Sequence, residues 1–328
     1  MSKHITIHAQ DDARAHDLDG LDASKIKEIA EITKGGVKKT KITVINNSTG
    51  EKKTFENKVL IPGSQINACK MFGIPAQVVF PSYNTEMDLD NSVGPGEEPL
   101  NDQLVCLFCI ADAGCGSLPK DVYVSKTTDR IKPPPKNPTS VDEFTSDMMM
   151  PFRYVDFDKD LDDNLRQYYF GRKTYSNLGK IAYYFKAFDT DPQLHIIYAD
   201  GTEVTDDMYN VHSDQEVECY VELRLRISRL DFRDYFENVL GWDKSRISTL
   251  SLCTAWYNEQ SGFKYFQNIL PYTLLNFSYQ MLTSAEVSLD FVYDLYFWVF
   301  KAEFVILLLF PWFLSSQGNL FLISIIYY

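Results

Sequence analysis

Between Glu216 and Ser228 the chain alternates without interruption. Val217, Cys219, Val221, Leu223, Leu225 and Ile227 fall on one side, and Glu218, Tyr220, Glu222, Arg224 and Arg226 on the other. Successive side chains of a strand point to opposite faces, so this stretch demands a sheet with one buried and one wet face. It runs into Ser228-Arg-Leu-Asp231, a start like a capping box with Asp in place of Glu, which predicts a helix near 229–240 that stops at Gly241. Val287, Leu289, Phe291, Tyr293, Leu295 and Phe297 repeat the alternation further on.

The remaining signals are mostly of strand type. Lys41–Asn46 and Lys52–Ile61 flank the turn Asn47-Ser-Thr-Gly50, and Leu104–Ala111 is an apolar run. Ile181–Phe188 and Leu194–Ala199 precede the turn Asp200-Gly201, and Ile247–Tyr257, Phe263–Phe266 and Tyr272–Met281 are further strand candidates. A short amphipathic N-terminal helix is expected from Ser24, its cap, to Lys34, before Gly35-Gly36. The expected fold class is mainly β with minor α (α+β), made of antiparallel sheets in β-sandwich-like domains.

A chain of 328 residues can hold two cores. Residues 1–22 are polar and predict a flexible arm without a signal peptide. Residues 23–125 form an expected N-terminal β-rich domain, in which 62–103 reads as loop because of Pro62-Gly63, Pro75, Pro81 and Gly94-Pro-Gly-Glu-Glu-Pro99. Pro133-Pro134-Pro135 and Pro138 make 126–150 a semi-rigid linker. Residues 151–297 are then a C-terminal antiparallel β domain with one helix, and 298–328 a hydrophobic tail. The net charge of −13, without a basic run, argues against nucleic-acid binding.

In the tail, Phe304–Leu314 and Leu320–Tyr328 are apolar but separated by Ser315-Ser-Gln-Gly-Asn319, and Pro311 interrupts the first run. A membrane span needs roughly 20 continuous apolar residues. Three readings stay open: a tail-anchor-like or hairpin membrane segment at 304–328, a tail buried in a larger assembly, and an extension outside the evolved domain. In the third, Trp298 marks a stop codon read as Trp, and a sense codon there would count against it.

Candidate chemistry is sparse. Cys106, Cys109 and Cys115 are the candidate zinc set, but zinc normally takes two such knuckles or a knuckle with histidines. Residues i and i+3 of a strand face opposite sides, so buried thiols are the favoured reading. Asp156, Asp158 and Asp160 imitate the first positions of a calcium loop, whereas Leu161 and Gln167 stand where that loop needs Gly and Glu. Gly114-Cys-Gly116 invites a nucleophile reading for Cys115, for which only His195 and His212 could act as base. Nucleotide-binding, zinc-protease and nucleophile-elbow motifs are missing from the sequence. No enzyme activity and no cofactor are expected.

Several blocks together resemble virion structural proteins of large contractile-tailed bacteriophages. They are Asn57-Lys-Val-Leu-Ile-Pro-Gly-Ser64, Tyr83-Asn with Asp88-Leu-Asp-Asn91, Val105-Cys-Leu-Phe-Cys109 with Ala113-Gly-Cys-Gly116, and Pro151-Phe-Arg-Tyr154. Phe185-Lys-Ala-Phe-Asp189, Tyr220–Leu225 and Asp231-Phe-Arg-Asp-Tyr-Phe236 complete the set, which spans about residues 40–297. The resemblance implies a non-enzymatic neck, tail or baseplate component, made in the host bacterial cytoplasm and located in the virion. It implies an oligomer with other virion structural proteins as partners, and supplies no catalytic residues. Two alternatives remain: a membrane-associated protein held by the tail, with membrane contact through 304–328 only, and a β-type surface or glycan-binding module.

Overall fold

The computed structural model describes residues 4–10, 40–45, 52–72, 81–90, 103–118, 121–198, 202–203, 217–228, 230–260, 263–281 and 288–297. Among the described residues fourteen strands are formed: β1 (His4–Gln10), β2 (Thr40–Ile45), β3 (Lys52–Val59), β4 (Leu104–Ala111), β5 (Met149–Met150), β6 (Arg153–Asp156) and β7 (Tyr169–Tyr175). They continue with β8 (Lys180–Ala187), β9 (Gln193–Tyr198), β10 (Val217–Ile227), β11 (Arg246–Gln260), β12 (Phe263–Pro271), β13 (Thr273–Met281) and β14 (Ser288–Phe297).

The two alternating stretches are β10 and β14, and they pair antiparallel from Cys219↔Phe297 to Ile227↔Leu289. On β10, Leu223, Leu225 and Ile227 are buried while Arg224 and Arg226 are exposed, as the alternation requires. Each buried side chain of this size contributes about 1.5–3 kcal/mol. Phe291 and Tyr293 of β14 enter the same core, where the Phe291 ring meets Phe277 with centroids 5.6 Å apart.

The protein is mainly β, with few helices and antiparallel pairing throughout apart from the parallel pair β1–β14. The strand order is β6-β8-β4-β11-β13-β3-β2-β1-β14-β10-β9, with β12 on β11, β5 on β4 and β7 on β8. Register shifts along β11 mark bulges, which bend a strand and raise its twist. Bulged in this way, β11 pairs with β4 on one edge and with β13, then β12, along the other.

Here the structure differs from the domain division expected from sequence. β4, from the first expected domain, lies between β8 and β11 of the second, and β3 pairs with β13. One core joins Leu60, Tyr83 and Phe108 to Tyr184, Leu252 and Phe277. The 126–150 segment is not an open linker: Ile131, Pro134, Pro138 and Phe144 are buried, and Met149 N donates to Lys132 O at 2.8 Å. Extended Pro-rich backbone needs no ladder of its own, so it can lie along a core as readily as cross between two. Likewise β1 falls inside the expected arm and takes a central place in the strand order.

A second difference is the helix Ile61–Phe72, in a region expected to be loop. Proline is at home in a first helical turn, where its missing N–H would have no partner, so Pro62 does not break the helix. Pro62, Gly63, Ile66 and Cys69 give it a buried face. Gly63 is required by close approach, since a Cβ there would lie 2.6 Å from the Tyr272 carbonyl oxygen. The short helix Tyr83–Met87 is clamped to the former linker: Tyr83 Oη donates to Ile131 O at 3.2 Å, and Arg130 donates to Glu86 from its two terminal guanidinium nitrogens.

The helix expected at 24–34, the Asp200-Gly201 turn, His212 and the tail 298–328 lie outside the described residues. Among the described residues no helix is long and apolar enough to cross a membrane.

Candidate functional site

A group of buried ionisable side chains forms where β10 runs into its following turn. Ser228 N donates to Asp231 Oδ2 at 2.7 Å, so the aspartate closes the turn much as a capping-box glutamate would. The helix itself starts late. Phe232 takes a left-handed conformation (φ 64°), and only Arg233–Tyr235 is α-helical before a wider turn over Phe236–Leu240 that ends at Gly241. Phe232 N donates to Phe152 O at 2.9 Å, which fastens the turn beneath β6.

Asp231 is buried and holds three donors. Besides Ser228 N, Tyr169 Oη donates to Oδ1 at 2.6 Å and Lys186 Nζ donates to Oδ2 at 2.9 Å. Lys186, also buried, donates to Arg226 O at 2.7 Å as well. Its ammonium lies 5.7 Å from the centre of the Tyr169 ring, and Arg153 stands over the same ring at 5.6 Å. Burial pushes the Tyr169 hydroxyl well above its ordinary pKa, and the negative charge of Asp231 and their hydrogen bond push it further. Nearby, Asp189 accepts a hydrogen bond from Arg226 N at 2.6 Å, and burial raises its carboxyl against the opposing pull of Lys186.

Strands β7, β8 and β10 are thus joined by one satisfied ionic network. A catalytic lysine or tyrosine needs a face open to a substrate, whereas here the donors and acceptors are committed to protein partners. The arrangement fixes where three strands and a turn meet and locks them together.

The sequence candidates are dispersed by the fold. Cys109 and Cys106 lie on β4, and Cys115 follows that strand with its thiol donating to Leu118 O at 3.1 Å. The neighbour of Cys109 is instead Cys253 of β11, with the sulfurs 3.7 Å apart. Burial pushes the Cys106 thiol up to about 12, and no disulfide joins any of the six cysteines. His195 does not serve Cys115: on β9 it stacks on Tyr220 and its Nδ1 lies 3.0 Å from Glu203. Gly114 owes its place to packing, because a Cβ there would lie 2.3 Å from Ser248 O. Beside it, buried Asp112 accepts from Ser248 Oγ and Arg246 Nε, each at 2.9 Å.

The acidic run is divided among separate bases. Asp156 pairs with Lys180 and Lys159, while Asp160 accepts from Tyr183 Oη at 2.6 Å and pairs with Arg172, which also holds Asp90. Asp158 lies in the single turn Phe157–Lys159 between them. Among the described residues no three His, Cys, Asp or Glu side chains form a metal-binding group.

Burial raises the Asp160 carboxyl, but Tyr183, the Leu161 amide and Arg172 together outweigh it, and its pKa is lowered. Hydrogen bonds from Lys180 and Lys159 lower that of Asp156. A carboxylate with a depressed folded-state pKa contributes stability above its unfolded value of about 3.9 and loses it as pH falls through the folded value. Asp160→Asn is therefore expected to flatten the acid limb of stability below about pH 4. Melting curves from pH 5 to pH 2 check this, and an unchanged limb would sink it.

Comparison with known proteins gives no match: no protein-family model, curated protein or solved structure matches the chain.

Proposed function

We propose that this chain is a non-enzymatic structural subunit of a tailed-phage virion, placed in its neck, tail or baseplate. The observation that carries the proposal is where the phage-like blocks fall. Val105–Cys109 builds β4 between β8 and β11; Phe152 carries the turn at Phe232; Lys186 and Asp231 form the buried ion pair. Tyr83 and Asn84 fasten their helix to Ile131 and to the backbone at Phe266 and Ile269, and Asp90 pairs with Arg172. The resemblance therefore rests on residues that hold a scaffold together, as a component selected for shape would have it. A shared reaction would instead place the resemblance around a reactive cleft.

The test is to raise antibodies against the recombinant chain and probe purified particles of the phage whose genome encodes it. Detection at fixed stoichiometry in intact virions, with labelling at one place on the particle, is the expected result. A chain abundant in infected cells but missing from washed particles would overturn the reading.

A further inference from the structure

Four tyrosines meet in the core around Phe144. The Phe144 ring makes edge contacts with Tyr175 at 5.5 Å, Tyr154 at 6.3 Å and Tyr235 at 6.4 Å between centroids. Tyr154 and Tyr235 are 5.9 Å apart, and Tyr175 Oη lies 2.7 Å from Tyr184 Oη. All four side chains are at most 2% exposed. They come from four elements, β6, β7, β8 and the helix at Arg233–Tyr235, so the fold and no local motif brings them together.

Their hydrogen bonds do not balance within the protein. Four hydroxyls carry four protons, and the Tyr175–Tyr184 contact uses one of them. Tyr154 Oη and Tyr235 Oη are buried and have no protein partner. A hydroxyl taken out of water without a replacement costs free energy, and native cores almost always supply one.

We propose that these tyrosines enclose a binding site for a buried water molecule, which links Tyr154 and Tyr235 to the Tyr175–Tyr184 pair. Water suits the site because each hydroxyl both donates and accepts, and a buried water typically makes about three such bonds. An anion would use the donors alone, and Lys173 and Lys180 stand over the ring faces of Tyr175 and Tyr154, at 5.2 and 5.6 Å from the ring centres, Lys180 already paired with Asp156. Burial pushes the Tyr154 hydroxyl up to about 12, so it keeps its proton at neutral pH.

The test uses Tyr154→Phe, Tyr235→Phe and the double variant in the full chain, with melting curves and a high-resolution crystal structure of the unsubstituted protein. If both hydroxyls hold one water, each single variant melts lower, on the order of 2–4 °C, and the double loses little more than the worse single. A crystallographic peak should lie within hydrogen-bond distance of at least three of the four hydroxyls. Equal or higher melting temperatures would mean that the hydroxyls are simply unpaired and would overturn the proposal. So would additive losses, or a site without density.

Discussion

Asp231→Ala is expected to destabilise the protein by about 3–5 kcal/mol, the usual cost of breaking a buried ion pair by deleting one partner. The carboxylate accepts from Ser228 N, Tyr169 Oη and Lys186 Nζ, so its loss leaves three donors without their acceptor. Lys186 dominates the cost. Its side chain is 6% exposed, and the ammonium would keep the Arg226 carbonyl, the Tyr169 ring and the pull of Asp189 but lose its hydrogen-bonded carboxylate. Lys186→Met should cost a similar amount, because Asp231 then keeps its charge with two neutral donors. The double variant should lose clearly less than the sum, since neither charge is left stranded. Denaturant unfolding measures all three, with an unchanged slope showing that stability alone has moved. A single-variant loss under 1 kcal/mol, or strictly additive losses, would mean that the pair is not the lock described above.

The contrast between that pair and the strands around it shows what a sequence reveals. β10 and β14 were legible because a half-buried strand's inner face is written in every second residue, and β4 and β8 because a strand buried on both faces reads as a nearly continuous apolar run; both patterns are purely local. The segment at 229–240 was half legible. Asp231 does close the turn at Ser228, but the left-handed Phe232 delays the helix until Arg233. The helix Ile61–Phe72 was hidden because Pro62-Gly63 has the composition of a turn, whereas what seats it is the packing of Gly63 against Tyr272, 209 positions further along the chain.

The candidate sites follow the same rule. The acidic run at 156–160 could be seen, but not Arg172 and Lys180, which come from the next two strands to neutralise it. Cys109 faces Cys253 across 144 positions, and Lys186 reaches Asp231 across 45; no spacing motif connects them. What pairing brings together across the sheet leaves no mark on either partner alone.

The same reasoning makes Phe152 the residue on which a two-domain division stands or falls. It lies just past the Pro-rich segment, where the composition suggests a boundary, yet it is fully buried. Its ring meets Phe108 of β4 edge-on at 5.2 Å, Phe232 at 4.8 Å and Tyr169 of β7 at 6.4 Å. Its backbone accepts from Phe232 N and donates to Tyr183 O at 2.8 Å. Phe152→Ala should therefore cost about 3–5 kcal/mol, through lost burial and a cavity whose walls belong to both halves of the chain. With one shared core the loss falls on the whole sheet. Far-UV dichroism and tryptophan fluorescence should then shift together to lower denaturant, as one transition. Two separable transitions, one of them untouched by the substitution, would mean that β4 and β8 hold together two units that fold independently.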